Sequence, residues 1–329
     1  MLLDIIIPQY SEDEKTIKSL LDSINNQINV DFSQISVTIV NDCSDVILSN
    51  EFLKSYSHLN ISYIRNDKNT GPGLARWKGV LNTNGSFIMF CDSDDRLFNN
   101  NVLMVILDFI SKYEPNYLVT NIAIEVSDNN IVIKKGRETF PWMHGKVYKR
   151  EFLFNNDIYF HPNIRHLEDS YFTTLVFGSL EPDKVSYLDL TTYLWRNNYL
   201  SLTRKKRESN YMVETFEEFY NTPFITYEFL MKKKSYLRFS YIVSSLLGIY
   251  IVLNSNIFDG DDLKDKREYY LNKLKEDSYK QRNIFVLLGM DKVNYLYTNE
   301  LNELMERSEV REVYHGLDYF YSEFIKIKS

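Results

Sequence analysis

Residues 85–95 read GSFIMFCDSDD, a short apolar run that ends abruptly in acidic residues. A short run of apolar residues bounded by turn-forming residues is typical of a strand buried on both faces of a sheet. We therefore predict such a strand at Phe87–Cys91, with Asp92, Ser93, Asp94 and Asp95 directly after it. This stretch decides the expected fold, because the same arrangement recurs through the first half of the chain.

The N-terminal part of the chain alternates strand and helix patterns. Apolar runs that predict strands lie at Leu2–Ile7, Ile35–Val40, Ile61–Ile64 and Phe87–Cys91, with helical patterns between and after them. Four such repeats predict an α/β fold with a mostly parallel, doubly wound sheet. Polar clusters follow the strands at their carboxyl ends, where open α/β sheets bind ligands.

The C-terminal part has a different pattern, helical and rich in aromatic residues from about residue 209 onward. We expect an α/β domain over residues 1–207 and a mainly helical accessory domain over residues 208–329, joined in the charged run at residues 204–209. The apolar segment Tyr241–Leu253 is too short to span a bilayer, which needs about 20 residues. We interpret it as a buried helix rather than an interfacial helix with basic flanks.

Composition excludes several classes of protein. The chain is 44% hydrophobic and 25% charged, as in a globular protein, and its net charge of -7 argues against a broad nucleic-acid surface. Its two cysteines, Cys43 and Cys91, cannot form a disulfide framework or a cysteine-based zinc site. The chain opens directly on strand-like residues rather than on a signal peptide, so the expected location is the cytoplasm.

The acidic cluster after Phe87–Cys91 is a candidate metal site. Carboxylates at alternate positions of an extended segment point the same way, so Asp92 and Asp94 are candidate ligands of Mn²⁺ or Mg²⁺. These ions are normally shared with substrate phosphates. The alternative is helix capping, with Asp95 or Asn99 ahead of a helix that begins near Asn101.

Other strand ends carry candidate binding groups. Asp42 after the second strand and Pro8 and Tyr10 after the first are suited to reading and stacking a nucleobase, although turn formation alone also explains the Asp42 cluster. Gly71 allows the backbone to approach a ligand closely. Arg76, a little further on, is placed to face a pyrophosphate or a ribose, with a solvated arginine as the alternative.

A second acidic pair, Glu168 and Asp169, opens a predicted helix, where the helix dipole stabilises carboxylates. Ordinary N-terminal capping is the alternative interpretation of this pair. His144, His161 and His166 lie nearby without the spacing of a zinc site. We interpret these three histidines as structural or hydrogen-bonding residues.

A series of motifs, in order, resembles the catalytic domain of family 2 glycosyltransferases of the GT-A fold. The motifs are IIIPQY at residues 5–10, VNDCSD at 40–45, NDKNTGPGLARWKGV at 66–80, GSFIMFCDSDD at 85–95, HGKVYKREFL at 144–153 and HPNIRHLEDSYF at 161–172. The resemblance covers roughly residues 3–204. A single motif is weak evidence for a family, whereas several motifs in the right order are specific. Gln9, Asn41, Cys43 and Trp77 depart from the family pattern.

The resemblance implies inverting transfer of a hexosyl or N-acetylhexosaminyl group from a UDP-sugar to a hydroxyl of a glycan or cell-surface polymer. Asp169, with Glu168 beside it, would supply the general base, because a hydroxyl is a poor nucleophile until a carboxylate accepts its proton. Asp94 and Asp92 would hold the Mn²⁺ or Mg²⁺ that stabilises the leaving diphosphate. The implied nucleotide-sugar contacts are Pro8, Tyr10, Asp42, Arg76, Asp92, Ser93, Arg196 and Ser201.

Other interpretations of the sequence remain. A nucleotidyltransferase is disfavoured, because Pro8-Gln9-Tyr10-Ser11 stands where a glycine-rich loop is usual. A catalytically inactive nucleotide-sugar-binding protein, or a scaffold that uses the GT-A domain, is the main alternative. The C-terminal domain is a candidate for homo-oligomer formation or for peripheral contact with the inner face of the membrane.

Overall fold

A computed structural model describes residues 1–127, 130–139, 142–181, 184–196, 211–306 and 310–326. The chain divides into two compact units, residues 1–199 and 200–329. The junction expected at residues 204–209 lies outside the described residues. Each unit has its own hydrophobic core.

The first unit is built on one mixed sheet, which confirms the predicted α/β class. Its described strands are β1 (Leu3–Gln9), β2 (Ile35–Asn41), β3 (Ile61–Arg65), β4 (Phe87–Phe90), β5 (Arg96–Leu97), β6 (Tyr117–Ser127), β7 (Asn130–Lys134), β8 (Lys146–Lys149) and β9 (Ser186–Trp195). They are ordered β3-β2-β1-β4-β8-β6-β9-β5, and β7 pairs with β6. The pairs among β3, β2, β1 and β4 are parallel, as predicted, whereas β8 is antiparallel to both β4 and β6.

Helices cover this sheet. They are α1 (Glu14–Asn25), α2 (Asn50–Lys54), α3 (Pro72–Leu81), α4 (Val102–Tyr113), α5 (Arg150–Asn155) and α6 (Glu168–Gly178), with 3₁₀ turns at Phe32–Gln34 and Gly136–Glu138. α3 approaches β1 so closely that a Cβ on Gly79 would lie 2.4 Å from Ile6 Cγ2. Glycine is required at this position to let the helix pack on the strand.

A buried ion pair fixes the amino-terminal edge of the sheet. Asp4 of β1, which is 1% exposed, accepts hydrogen bonds from Gly85 N at 2.6 Å, Arg150 Nη2 at 2.7 Å and the Ser36 hydroxyl. Arg150 opens α5 directly after β8 and also donates to Val80 O at 2.7 Å. One carboxylate thereby ties the antiparallel strand and α5 to the parallel part of the sheet.

The second unit is helical, as predicted. Its described helices are Tyr211–Glu214, Phe216–Lys232, Arg238–Leu253, Lys264–Lys280, Arg282–Leu288, Met290–Glu306 and Leu317–Phe320, with 3₁₀ turns at Asn256–Phe258 and Asp261–Leu263 and a π-helical turn at Tyr321–Ile325. The segment Tyr241–Leu253 lies in the central helix, where residues 246–253 are all buried. The buried-helix interpretation is therefore confirmed. Within the described ranges, the helices are too short or too polar to cross a bilayer.

Candidate active site

The candidate site lies at the carboxyl ends of β1, β2 and β4. β1 is hydrogen-bonded to β2 on one side and to β4 on the other, and Gln9 pairs with Asn41 where β1 and β2 end. The residues that follow these strands therefore meet at one edge of the sheet. Pro8 is half-buried within β1, whereas Tyr10, just beyond it, is 48% exposed. The Tyr10 ring is accessible to a flat ligand.

Asp42 joins the end of β2 to the loop that begins α3. Its carboxylate accepts hydrogen bonds from the backbone N of Thr70 at 2.9 Å and of Gly71 at 2.7 Å, from the Thr70 hydroxyl at 2.8 Å and from Asn66 Nδ2 at 2.7 Å. Gly71 has a φ of +86°, a left-handed conformation that favours glycine. Asp42 thus shapes this loop, and its contact with a nucleobase stays a prediction.

Arg76 links the acidic end of β4 to the start of α6. α3 begins immediately after Gly71, and Arg76 is one of its buried residues. Its Nη2 donates to Asp92 Oδ1 at 2.6 Å and its Nη1 to Glu168 Oε1 at 3.0 Å. The guanidinium is buried, and its Nε has no partner among the residues that the structure describes. Three of the predicted site residues, Arg76, Asp92 and Glu168, are therefore brought together.

His144 adds an imidazole to the acidic cluster. Its Nε2 lies 3.1 Å from Asp92 Oδ2 and 3.9 Å from Asp95 Oδ2, and its ring packs against Tyr193 and Trp195. One ligand atom from each of Asp92, Asp95 and His144 lies within 4.8 Å of the other two. The expectation of a hydrogen-bonding histidine holds at this position, but the residue also completes a three-ligand cluster.

This cluster fits a divalent cation. Two carboxylates and one imidazole offer the oxygen and nitrogen donors that ions such as Mn²⁺ accept. The buried Nδ1 of His144 has no hydrogen-bond partner in the described part of the chain, so the ring has a further donor atom to offer. Asp94, the predicted ligand, is half-buried and lies outside the cluster found among the described residues. Its role as a ligand stays a prediction.

Asp95 does not cap α4, so the capping interpretation of this residue is wrong. Its Oδ2 accepts a hydrogen bond from the Tyr193 hydroxyl at 2.7 Å and its Oδ1 from Arg196 N at 2.8 Å. The Tyr193 hydroxyl in turn accepts from Asp92 N at 2.9 Å. Asp95 therefore attaches the end of β9 to the end of β4, and α4 begins several residues later, after Asn101.

The surroundings of the cluster shift the pKa values of its two carboxyls in opposite directions. Burial favours the neutral form of Asp92, but the charge of Arg76 and the hydrogen bond of His144 outweigh it and hold the Asp92 pKa well below its usual range. Burial, with the negative charges of Asp92 and Asp94 added, raises the pKa of Asp95. The pKa of His144 rises although burial opposes its charged form, because Asp92 and Asp95 lie beside it.

The two acidic residues at the start of α6 have different surroundings. Glu168 is 9% exposed, and burial together with the charge of Asp169 raises its pKa despite the ion pair with Arg76. Asp169 is half-buried, and its Oδ1 accepts a hydrogen bond from Ser170 N at 2.7 Å. Both lie in the first helical turn, as predicted, but only Glu168 joins the Arg76 bridge described above.

Lys146 is a buried cation that the sequence interpretation did not single out. Its Nζ donates to Thr139 O at 3.1 Å and to His144 O at 3.3 Å, and the residue is fully buried. Burial lowers the pKa of Lys146 to about 7, although the charge of Asp169 opposes this shift. The motif HGKVYKREFL contains both His144 and Lys146, and it was the available signal for them.

The remaining predicted contacts are placed differently. Ser93 is 4% exposed, in the buried turn after β4. Arg196 contributes its backbone N–H to Asp95. Ser201 lies outside the described residues, so its contact with a phosphate stays a prediction.

The family model described as glycosyl transferase family 2 matches residues 4–172, just over half of the chain. The chain belongs to glycosyltransferase family 2.

Two similar proteins act on one kind of polymer according to their names. The chain is 26% identical over 237 residues to the poly(ribitol-phosphate) beta-N-acetylglucosaminyltransferase TarS of Staphylococcus aureus, which covers 67% of this chain and 39% of TarS. It is 27% identical over 207 residues to a poly(ribitol-phosphate) beta-glucosyltransferase of Bacillus spizizenii, over 56% of this chain and 31% of that protein. The chain thus spans less than half the length of these relatives.

A crystal structure of S. aureus TarS in complex with UDP-GlcNAc has a similar fold, with a TM-score of 0.63 at 20% identity, over 94% of this chain and 92% of that one.

Proposed function

We propose that this chain transfers a hexosyl or N-acetylhexosaminyl group from a UDP-sugar to a hydroxyl of a cell-surface polymer, with inversion at the anomeric carbon. The observation that carries the proposal is the group formed by Asp92, Arg76 and Glu168, with the half-buried Asp169 adjacent to it at the start of α6. TarS, bound to UDP-GlcNAc in the similar structure and named for a polymer acceptor, supports both the donor and the acceptor class.

The donor would lie along the carboxyl ends of β1, β2 and β4. Tyr10 offers an exposed ring for the base, and Asp42 follows the neighbouring strand β2. Arg76 and Asp92 face the ribose and phosphates. A divalent ion held by Asp92, with Asp94 or with Asp95 and His144, would supply positive charge opposite the leaving diphosphate.

Asp169 would act as the general base. One of its carboxylate oxygens accepts the proton of the acceptor hydroxyl while the new bond to the anomeric carbon forms and the bond to the diphosphate breaks. Glu168 cannot take this role as readily, because its carboxylate is held by Arg76 and largely buried. The different surroundings of the two carboxyls support Asp169 as the base and Glu168 as the residue that positions Arg76.

The test separates donor binding from transfer. UDP-sugars with Mn²⁺, with Mg²⁺ and with a chelator are first compared for thermal stabilisation of the wild-type protein, since a bound ligand stabilises the folded state. Asp169→Asn is then expected to keep the stabilisation by UDP-sugar and to lower transfer by at least about 100-fold, the scale of a lost general base. Glu151→Gln, which changes an exposed acid in the first turn of α5, is the matched control and should transfer normally.

The possible negative results have different meanings. Transfer by Asp169→Asn at the wild-type rate would overturn its role as base while leaving the donor site intact. Stabilisation by UDP-sugar without transfer to any polymer by the wild type would favour an inactive nucleotide-sugar-binding protein. No stabilisation by any nucleotide would overturn the donor site itself.

A further inference from the structure

Two residues that depart from the family pattern are direct neighbours in the sheet. Gln9 ends β1 and Asn41 ends β2, and the two are paired in the register of these parallel strands. Gln9 is 1% exposed and Asn41 is fully buried. Each side chain is an amide with donor hydrogens and an acceptor oxygen, and a buried amide is costly unless these groups find partners. The partners of the two amides therefore decide what this pair holds in place.

The two amides share their partners. Asn41 Nδ2 donates to Val46 O at 2.8 Å and to the Tyr63 hydroxyl at 3.0 Å. Gln9 Nε2 donates to the same Val46 O at 3.0 Å, and Gln9 Oε1 accepts from the Tyr63 hydroxyl at 3.3 Å. The oxygen of Asn41 is also occupied, because it accepts from Ser44 N at 2.8 Å. We call Gln9, Asn41 and Tyr63 the amide hub.

The amide hub holds the loop that carries Asp42. It contacts this loop at Ser44 N, Val46 O and Leu48 N. The last of these donates to the Tyr63 hydroxyl at 3.3 Å. The Asp42 carboxylate is held from the other side, by the loop before α3 described above. The position of Asp42 is therefore fixed by both of its neighbouring segments.

The amide hub also reaches the turn that carries Tyr10. Gln9 Nε2 donates to Glu12 O at 2.9 Å, and the Glu12 carboxylate accepts from Tyr10 N at 2.9 Å. One side chain thus holds both the turn after β1 and the loop after β2. The two segments proposed to bind the nucleobase have a common support in Gln9.

The Tyr63 hydroxyl connects the two amides. A hydroxyl has one donor hydrogen and two acceptor lone pairs, and this one donates to Gln9 and accepts from Asn41 and from Leu48 N. Tyr63 lies half-buried in β3, and its ring packs against the first core. Removal of the hydroxyl alone would take one partner from each amide and one from the loop, while the ring would keep its packing.

We propose that the amide hub positions the nucleobase-binding residues, acting through Tyr10 and Asp42 without touching the nucleotide. The inference rests on the uridine nucleotide donor proposed above. Gln9 and Asn41 are too deeply buried to contact a ligand, so they are positioning residues. A nucleobase is held in the same way before and during sugar transfer, so a displaced base site weakens donor binding without slowing the transfer step.

The experiment measures the dissociation constants of the full chain for UDP and for inorganic pyrophosphate, each with Mn²⁺, by titration calorimetry. Tyr63→Phe should raise the constant for UDP about tenfold, the scale of one lost hydrogen bond. The constant for pyrophosphate should not change, because pyrophosphate has no base. With a UDP-sugar as substrate, KM should rise about tenfold while kcat stays within about twofold of the wild type.

Two further variants complete the design. Tyr56→Phe is the matched control, because Tyr56 is a buried tyrosine of the same unit whose hydroxyl donates to Asp22 at 2.9 Å rather than to the amide hub. It should bind UDP as the wild type does. Asn41→Asp keeps the size of the side chain but turns a carboxylate oxygen towards Val46 O in place of the donor, and it should weaken UDP binding at least as much as Tyr63→Phe.

The outcomes separate this inference from the proposed donor. Binding of UDP by the wild type with an unchanged constant in Tyr63→Phe would overturn the role of the amide hub and leave the donor intact. Equal losses for UDP and pyrophosphate would also overturn it, because they would show support of the whole fold rather than of the base site. No binding of UDP by the wild type would overturn the proposed donor and this inference with it.

Discussion

At the scale of single residues, Arg76 holds the candidate site together. Its guanidinium is buried between Asp92, at the end of β4, and Glu168, at the start of α6. Buried ion pairs are costly to break, because the remaining charge keeps its desolvation penalty without a partner. Glu168 is the partner most exposed to this effect, since its side chain is only 11% accessible.

Replacement of Arg76 by methionine should therefore destabilise the fold as well as the site. We expect Arg76→Met to lower the free energy of unfolding by about 3–5 kcal/mol, as measured by urea denaturation. Adding Glu168→Gln should recover part of that loss, because it removes the charge left unpaired. A double variant with the sum of both single losses would show that the two groups are not coupled in this way.

Burial of Lys146 makes the free energy of unfolding depend on pH, and the direction follows from its lowered pKa. Its pKa falls to about 7 in the folded chain from an ordinary value of 10.5, so between these values the unfolded chain binds more protons. Stability then rises with pH across that window, and the cost of the buried charge is fully present below it. The unfolding free energy of the wild type relative to Lys146→Met should rise between pH 7 and pH 10, and a flat difference would contradict the argument.

At the scale of elements, the contact between α3 and β1 positions Arg76. Gly79 lies one turn after Arg76 and touches Ile6, whose branched side chain is fully buried in the strand. The helix cannot move closer, and any group larger than hydrogen at Gly79 pushes it away. The close packing of Gly79 on Ile6 therefore helps to position the helix that carries Arg76.

Gly79→Ala should lower both stability and transfer. Overpacking of a core contact costs about 1–3 kcal/mol, which exceeds the gain of about 1 kcal/mol from alanine in a helix. Urea denaturation and transfer rates measure the two effects. Leu81→Ala, at a 60% exposed position of the same helix, is the control and should change stability by less than about 0.5 kcal/mol. If Gly79→Ala behaved like Leu81→Ala, the contact would not position the helix.

The elements also show how far the sequence predicts the structure. β1, β2 and β4 were predictable because each is an apolar run that ends in polar residues at the ligand edge. The antiparallel direction of β8 was not, since the residue pattern of a strand does not encode which strand it pairs with or in which direction. The same limit hid the contact between His144 and Asp92, which are 52 residues apart with no local spacing to link them.

Asp95 illustrates a second limit. A carboxylate shortly before a helix is a good cap by local rules. The Asp95 carboxylate instead accepts a hydrogen bond from the hydroxyl of Tyr193, far along the chain. Asp169 and Arg76 could be named as candidates because their motifs are local and ordered, and their roles stay predictions. The partners of these residues depended on the tertiary fold.

At the scale of the whole molecule, two separate cores predict two regions of slow amide exchange. Residues of β1 are almost entirely buried in the first core, and residues 246–253 in the second. Hydrogen exchange should therefore be slowest in β1 and in the helix Arg238–Leu253, because these amides open only when the core around them does. Exchange in that helix as fast as in the largely exposed helix Lys264–Lys280 would show that its packing is not as stable as its burial implies.

The bridge of Arg76 between two carboxylates also has an evolutionary consequence. A chain that loses the acid at position 168 retains a buried guanidinium balanced by Asp92 alone, and a chain that loses the arginine retains two acids that repel each other. Each single loss therefore destabilises the protein. Selection then opposes a change at one of the three positions until another position changes as well. Substitutions at positions 76, 92 and 168 should therefore be inherited together among descendants of this gene.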